Sequence, residues 1–193
     1  MVGTPAPEPT LAFATAKAWE AWLAKHHADA TGLWLRLYKK ASGHPTVTYA
    51  EALDCALCYG WIDAQLKPLD ATSWLRRFTP RRPNSVWSSV NVGHAKRLIR
   101  AQRMRPAGLA QVHAAQADGR WRRAYDPPKA MAIPADFLRA LASDKQAKAF
   151  FATLNRANLY AIAYRLQTAK KPETRERRMR SILAMLAQGK KFH

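Results

Sequence analysis

Residues 61–79 read WIDAQLKPLDATSWLRRFT. Two runs rich in Trp, Ile, Leu and Phe, Trp61–Leu66 and Ser73–Thr79, flank a short link that holds Pro68 and Asp70. Alternating runs bounded by turn residues read as strands, and a short Pro/Asp link joins them as a hairpin. A hairpin set inside a chain otherwise patterned for helices points to the α+β class.

Working outward, the upstream side supplies a third strand and two helices. Leu33-Trp34-Leu35-Arg36-Leu37-Tyr38-Lys39 alternates apolar and polar and predicts a strand. Before it, Trp19, Trp22, Leu23 and His26 recur at helical spacing over 16–27, with Thr15 as N-cap. After it, residues 41–45 form a turn. Thr48 caps a helix containing Ala50, Leu53, Ala56 and Leu57, which Gly60 ends.

The downstream side is helical. The second strand runs out through a loop braced by Pro80 and Pro83, and a helix starts near Asn91. Ala95, Leu98 and Ile99 mark that helix; Leu109, Val112 and His113 mark the next, which stops at Asp118-Gly119. A loop with Trp121, Tyr125 and Pro127-Pro128 is the domain boundary. Beyond it, Pro134 suits a first helical turn, and Ser143-Asp144-Lys145-Gln146 resembles a capping box before Ala147, Phe150, Phe151 and Leu154. Leu159, Ile162, Ala163 and Leu166 form another stripe. Pro172 opens a last helix with Met179, Ile182, Leu183 and Leu186 on one face, closed by Gly189. The expected architecture is a flexible N-terminus over 1–12 and an α+β domain over 13–127 with a small, mostly antiparallel sheet packed by helices. A helical unit over 133–190 follows.

The chain has 193 residues, 48% of them hydrophobic, enough to bury a core. It carries 32 Lys+Arg against 13 Asp+Glu, a net charge of +19. Such a field draws polyanions and repels cationic peptides. The partner to expect is anionic: nucleic acid, a phosphate-bearing ligand or an acidic protein. No apolar run reaches the ~18 residues of a membrane-spanning helix. The opening MVGTPAPEPTLAF has neither the basic nor the apolar region of a secretory signal, so the expected compartment is the cytoplasm and the expected state of the two thiols is reduced.

Few residues point to catalysis. Cys55 and Cys58 form a CxxC, but late in a helix among Leu53, Ala56 and Leu57, a setting for packing rather than for an activated thiol. The six histidines are scattered, and no nucleophile elbow, HExxH or P-loop occurs. No catalytic residue, cofactor or metal site is assigned. Asp63 follows Gly60 by three residues on a strand expected to face Arg76 and Arg77; cross-strand pairing is its simple role, general-base work the alternative.

The densest signal is RRFTPRRPNSVWSSVN, residues 76–91. From Ala71 to Ala117 there are nine Lys+Arg and no acid, so these cations must meet distant acids such as Glu51, Asp54, Asp63 and Asp70, or a bound anion. The candidate anion site is Arg77, Arg81, Arg82, Ser85, Trp87, Ser88 and Asn91, with Asp63 as a possible partner acid. Pro80 and Pro83 hold the arginines, and the helix that follows presents its N-terminus to an anion. Trp87 either packs in the core or stacks on a base. Arg81 and Arg82 are expected to divide: one pairs with Asp63 or Asp70, the other stays open to solvent.

The ordered blocks WEAWLAKHH, GLWLRLYKK, YAEALDCALCYGWIDAQLKPLD, RRFTPRRPNSVWSSVN, RMRPAGLAQVHAAQADGRW and AKKPETRERRMRSILAMLAQGKK resemble the YdeI/OmpD-associated family of bacterial proteins. The tail from about Ile133 resembles the domain named for bacteriocin protection. The resemblance implies a non-enzymatic part in tolerance to bacteriocins or antimicrobial peptides, and brings no catalytic residues with it. Two other functions stay open: nucleic-acid binding by the basic surface, and an enzyme or small-anion binder around Asp63, Arg77, Arg81 and Arg82.

Overall fold

The computed structural model describes residues 8–193. They divide into two compact units. One takes the described residues up to Ser85 together with Asn91–Arg122; the other takes Val86–Val90 with Arg123–His193.

In the first unit the hairpin forms as β3 (Trp61–Pro68) and β4 (Ser73–Pro80). Asp70 ties the turn. Its Oδ1 accepts from the Thr72 N–H at 2.8 Å and from the Thr72 and Ser73 hydroxyls, each at 2.9 Å. β4 is central, antiparallel to β3 on one side and to β2 (Leu33–Tyr38) on the other. β1 (Thr10–Ala12) adds to β2 in parallel, giving the order β1-β2-β4-β3.

β1 corrects part of the expectation of a flexible N-terminus over 1–12; residues 1–7 lie outside the described residues. Three residues are too few to show strand periodicity. What makes them a strand is the open edge of β2, where the Trp34 N–H also bonds the Pro9 carbonyl at 2.9 Å.

Register decides which side chains share a face. Leu33 pairs with Phe78, Leu35 with Arg76 and Leu37 with Trp74. Helices α1 (Ala16–His26) and α2 (Tyr49–Cys58) cover this face. The Trp19 ring of α1 lies 5.6 Å from Phe78, and the Tyr49 ring of α2 lies 6.2 Å from Trp74. The buried indoles keep their N–H groups satisfied: Trp19 donates to the Ala52 carbonyl and Trp61 to the His27 carbonyl, each at 3.0 Å. Thr15 caps α1 as expected. Thr48 caps α2, and Glu51 completes a capping box. Gly60 ends the helix with a positive φ of 75°. α3 (Ser89–Arg100) begins two residues before the expected Asn91, and α4 (Pro106–Ala117) follows.

The second unit holds α5 (Ala135–Ala142), α6 (Lys145–Phe151), α7 (Arg156–Gln167) and α8 (Pro172–Ala187). No strand lies among its described residues from 134 to 188. Its core is Phe137, Leu141, Ala147, Ile162, Leu166, Ile182 and Leu186. Two start signals shift by one residue. Pro134 is the N-cap of α5 rather than part of its first turn. Asp144, not Ser143, caps α6, because Ser143 is still helical (φ −77°, ψ −15°) and closes α5. An N-cap needs extended backbone so that its side chain reaches forward, here to the Ala147 N–H at 2.9 Å. Among the described residues, no helix is long and apolar enough to cross a membrane.

Candidate functional site

The basic segment leaves the sheet at the end of β4. The Arg81 N–H donates to the Gly60 carbonyl at 2.9 Å, and Arg81 is buried. Arg82-Pro83-Asn84-Ser85 then turns, closed by the Ser85 N–H on the Arg82 carbonyl at 2.9 Å. Proline in second place pre-sets the φ such a turn needs. The Ser85 carbonyl accepts from Arg120 Nη1 at 2.8 Å, while Arg120 Nε holds Asp118 at 2.6 Å. Arg120 is only 5% exposed, so this clamp works from beneath the turn. Nothing in the sequence singled out Arg120, since the acid-free window ends just before the Asp118-Gly119-Arg120 corner.

Arg81 and Arg82 therefore differ in placement: Arg81 is buried and Arg82 is exposed. Among the described residues, no acid lies within ion-pair distance of Arg82. The two acids expected to hold one of them are engaged elsewhere. Asp70 pairs with Arg36 at 2.7 Å. Asp63 accepts from the Tyr49 hydroxyl at 2.7 Å and lies 3.6 Å from Arg76.

Other residues of the expected set are spread out. Arg77 forms a bidentate pair with Glu8, its Nε donating at 2.6 Å. Asp63 meets Arg76 but not Arg77, because successive strand residues point to opposite faces. Ser85 and Asn91 are half-buried. Trp87 is 2% exposed and Ser88 is 9% exposed. Both belong to the second unit, where the Tyr125 N–H donates to the Trp87 carbonyl at 2.9 Å. Trp87 is thus packed rather than presented for stacking.

Of the four acids named as distant partners, Asp54, Asp63 and Asp70 hold arginines, while Glu51 caps its own helix. Asp54 binds Arg97 at 2.7 Å and His94 at 2.8 Å. Burial pushes the Asp54 carboxyl up, but the hydrogen bonds from Arg97 and His94 outweigh it and hold it below the usual range. Hydrogen bonds from Thr72 and Ser73 hold Asp70 down at about 2. Glu20, which the sequence did not single out, takes Arg105 at 3.0 Å. The remaining window cations, Lys96, Arg100 and Arg103, are exposed.

Cys55 and Cys58 are free and buried. Burial pushes the two thiols up to about 12 and about 11, so neither offers a thiolate. Among the described residues, no group of three His, Cys, Asp or Glu is placed to hold a metal ion.

A second feature of the first unit escaped sequence reading. A pocket of about 600 Å³ is walled by Tyr38, His44, Tyr49 and Trp74, with Lys40 at its edge. Its lining follows one stretch of chain from the end of β2 to the start of α2, and the β2–β4 register, which pairs Leu37 with Trp74, adds the indole. Tyr49 and Trp74 also face Arg76, whose guanidinium lies 4.8 Å and 5.8 Å from their ring centres. An arginine on the helix-covered face of a central strand is thus held by Asp63 and two rings beside an open hollow.

Residues 11–111 match the family described as a domain of unknown function (DUF8412). Residues 130–189 match the family described as bacteriocin-protection, YdeI or OmpD-associated. No curated protein and no solved structure matches the chain.

Proposed function

From the premise that the chain belongs to the DUF8412 family and carries a bacteriocin-protection, YdeI or OmpD-associated domain, we propose that it is a non-enzymatic tolerance protein that engages an anionic partner through its basic turn. Arg82 carries the reading. It is exposed on a proline-set turn that Arg120 braces at Ser85, and among the described residues no acid neutralises it. An exposed arginine with no acid in ion-pair reach keeps its charge for a ligand, and the braced backbone of the turn limits the freedom lost on binding. Lys96 and Arg100, one turn apart on α3, and Arg103 extend the exposed charge. A net charge of +19 disfavours direct capture of a cationic peptide, so tolerance acts through the anionic component.

The test is fluorescence anisotropy of a labelled single-stranded oligonucleotide and of a sulfated polysaccharide across a salt series. Parent protein binds with a steep salt slope, and Arg82→Glu weakens binding by about tenfold and flattens the slope by about one contact. A bacterium lacking the gene, restored with parent or Arg82→Glu, then reports bacteriocin survival. Full protection by Arg82→Glu sinks the reading. Binding of the oligonucleotide alone turns it toward nucleic acid.

The aromatic pocket supports a second reading, a small-anion binder in which Lys40 meets the carboxylate of a planar acid and Tyr38, Tyr49 and Trp74 meet its ring. Saturation-transfer NMR with 4-hydroxybenzoate, with and without Trp74→Ala, tests it. No transfer to the parent protein removes it.

A further inference from the structure

The helical unit holds a second cluster of cations that does not depend on the basic turn. Arg165, Arg177, Arg178, Ser181, Ile182 and Phe192 line a hollow of about 250 Å³ with no Asp or Glu side chain among them. Elsewhere in this unit the arginines of α8 meet acids. Arg175 forms a bidentate pair with Asp136, and Arg180 lies 3.8 Å from Glu176. Three guanidinium groups facing one hollow repel one another unless something anionic joins them.

Two of the three are held by neutral groups. Arg178 Nη1 donates to the Arg165 carbonyl at 2.7 Å and reaches the Thr168 hydroxyl at 3.4 Å. The Arg165 guanidinium lies 4.2 Å over the Phe192 ring. These contacts aim the forks without cancelling their charge, and a guanidinium fork matches phosphate oxygens two at a time. Ser181 adds a hydroxyl donor, and Ile182 with Phe192 makes part of the wall apolar, which strengthens each polar contact.

Arg165 also lines an adjoining hollow of about 270 Å³, with Tyr160, Tyr164 and His193. Tyr160 and Tyr164 lie one helical turn apart on α7, their rings 5.8 Å apart and inclined by 33°. Burial pushes the Tyr160 phenol up, so it stays a neutral donor. An anion cradle and an aromatic wall that share one arginine fit a ligand carrying a phosphate on one side and a planar ring on the other. We propose that these joined hollows bind a phosphate monoester of the nucleoside monophosphate class. The phosphate meets Arg165, Arg177, Arg178 and Ser181, and the ring lies against Tyr160 and Tyr164.

Isothermal titration of the full chain with AMP, adenosine, inorganic phosphate and a 5′-phosphorylated adenylate trinucleotide tests this at fixed salt. AMP is expected to bind at least about tenfold tighter than either adenosine or phosphate, since both halves of the ligand are recognised. Arg177→Glu and Arg178→Gln, checked by thermal melting to be folded, each weaken AMP by about tenfold or more. Arg82→Glu leaves AMP binding unchanged, which separates this site from the basic turn. In the Arg82→Glu background, trinucleotide binding tighter than AMP assigns the phosphate to a nucleic-acid end; equal binding assigns it to a free nucleotide. Equal affinity for AMP and adenosine, parent-like AMP binding by both arginine variants, or no AMP binding at all overturns the proposal.

Discussion

Arg81, Arg82 and Arg120 show how little residue type decides by itself. All are arginines near one turn, yet Arg81 and Arg120 are buried and Arg82 is open. Arg120→Ala strands the Ser85 carbonyl and removes the Nε bond to Asp118, and should cost about 1–3 kcal/mol. Arg81→Ala removes a buried side chain and should cost a similar amount, about 1–3 kcal/mol. Arg82→Ala should change stability by less than about 0.5 kcal/mol. Chemical denaturation of the three variants checks the order; an Arg82 variant as unstable as the Arg120 variant would contradict the clamp. The thiols give a second residue-scale outcome. With burial pushing them up to about 12 and about 11, Cys55 and Cys58 should react slowly with iodoacetamide in the native protein and fast after denaturation. Rapid native labelling would contradict the burial.

At the scale of elements, α4 meets the end of α2 at Gly108. A Cβ there would land 2.7 Å from the Leu57 carbonyl oxygen and closer still to that of Cys58. Those atoms are backbone and cannot swing away. Gly108→Ala should therefore destabilise by about 1–3 kcal/mol, although alanine is the better helix former by about 1 kcal/mol. A more stable variant would show that the helices do not approach this closely. At the other end of α2, Thr48→Ala opens the capping box and should cost about 1 kcal/mol, read by the same denaturation.

For the molecule as a whole, charge sets the response to acid. Glu8, Asp54, Asp70 and Asp136 all ionise below their usual range in the fold. A carboxyl depressed on folding adds stability that is complete above its unfolded value of ~4 and is lost as pH falls through the lower folded value. Protonating these groups also raises a net charge already at +19, which adds self-repulsion. Thermal midpoints should stay level from about pH 7 down to about pH 5 and fall below about pH 4. Asp70→Asn should make the drop shallower between about pH 4 and about pH 2, the window in which the depressed Asp70 carboxyl takes up its proton. A midpoint that rises on acidification would contradict the sign.

Periodicity and caps belong to neighbours a few residues apart, so the sequence by itself determined the hairpin, the helices that Thr15, Thr48 and Pro172 open, and the strand-free second unit. It also determined that Cys55 and Cys58 pack, because apolar neighbours on one helix decide that. Tertiary structure alone decided β1, a strand made by the edge it joins and not by its own three residues. It alone chose partners for the arginines: a guanidinium finds whichever carboxylate the fold brings near, and Glu8 lies 69 residues from Arg77 in the chain. The aromatic pocket and the arginine hollow stayed invisible for the same reason. Strand register sets Trp74 against the 37–49 stretch, and helix packing brings Arg165, the 177–182 stretch and Phe192 together; no local spacing records either meeting.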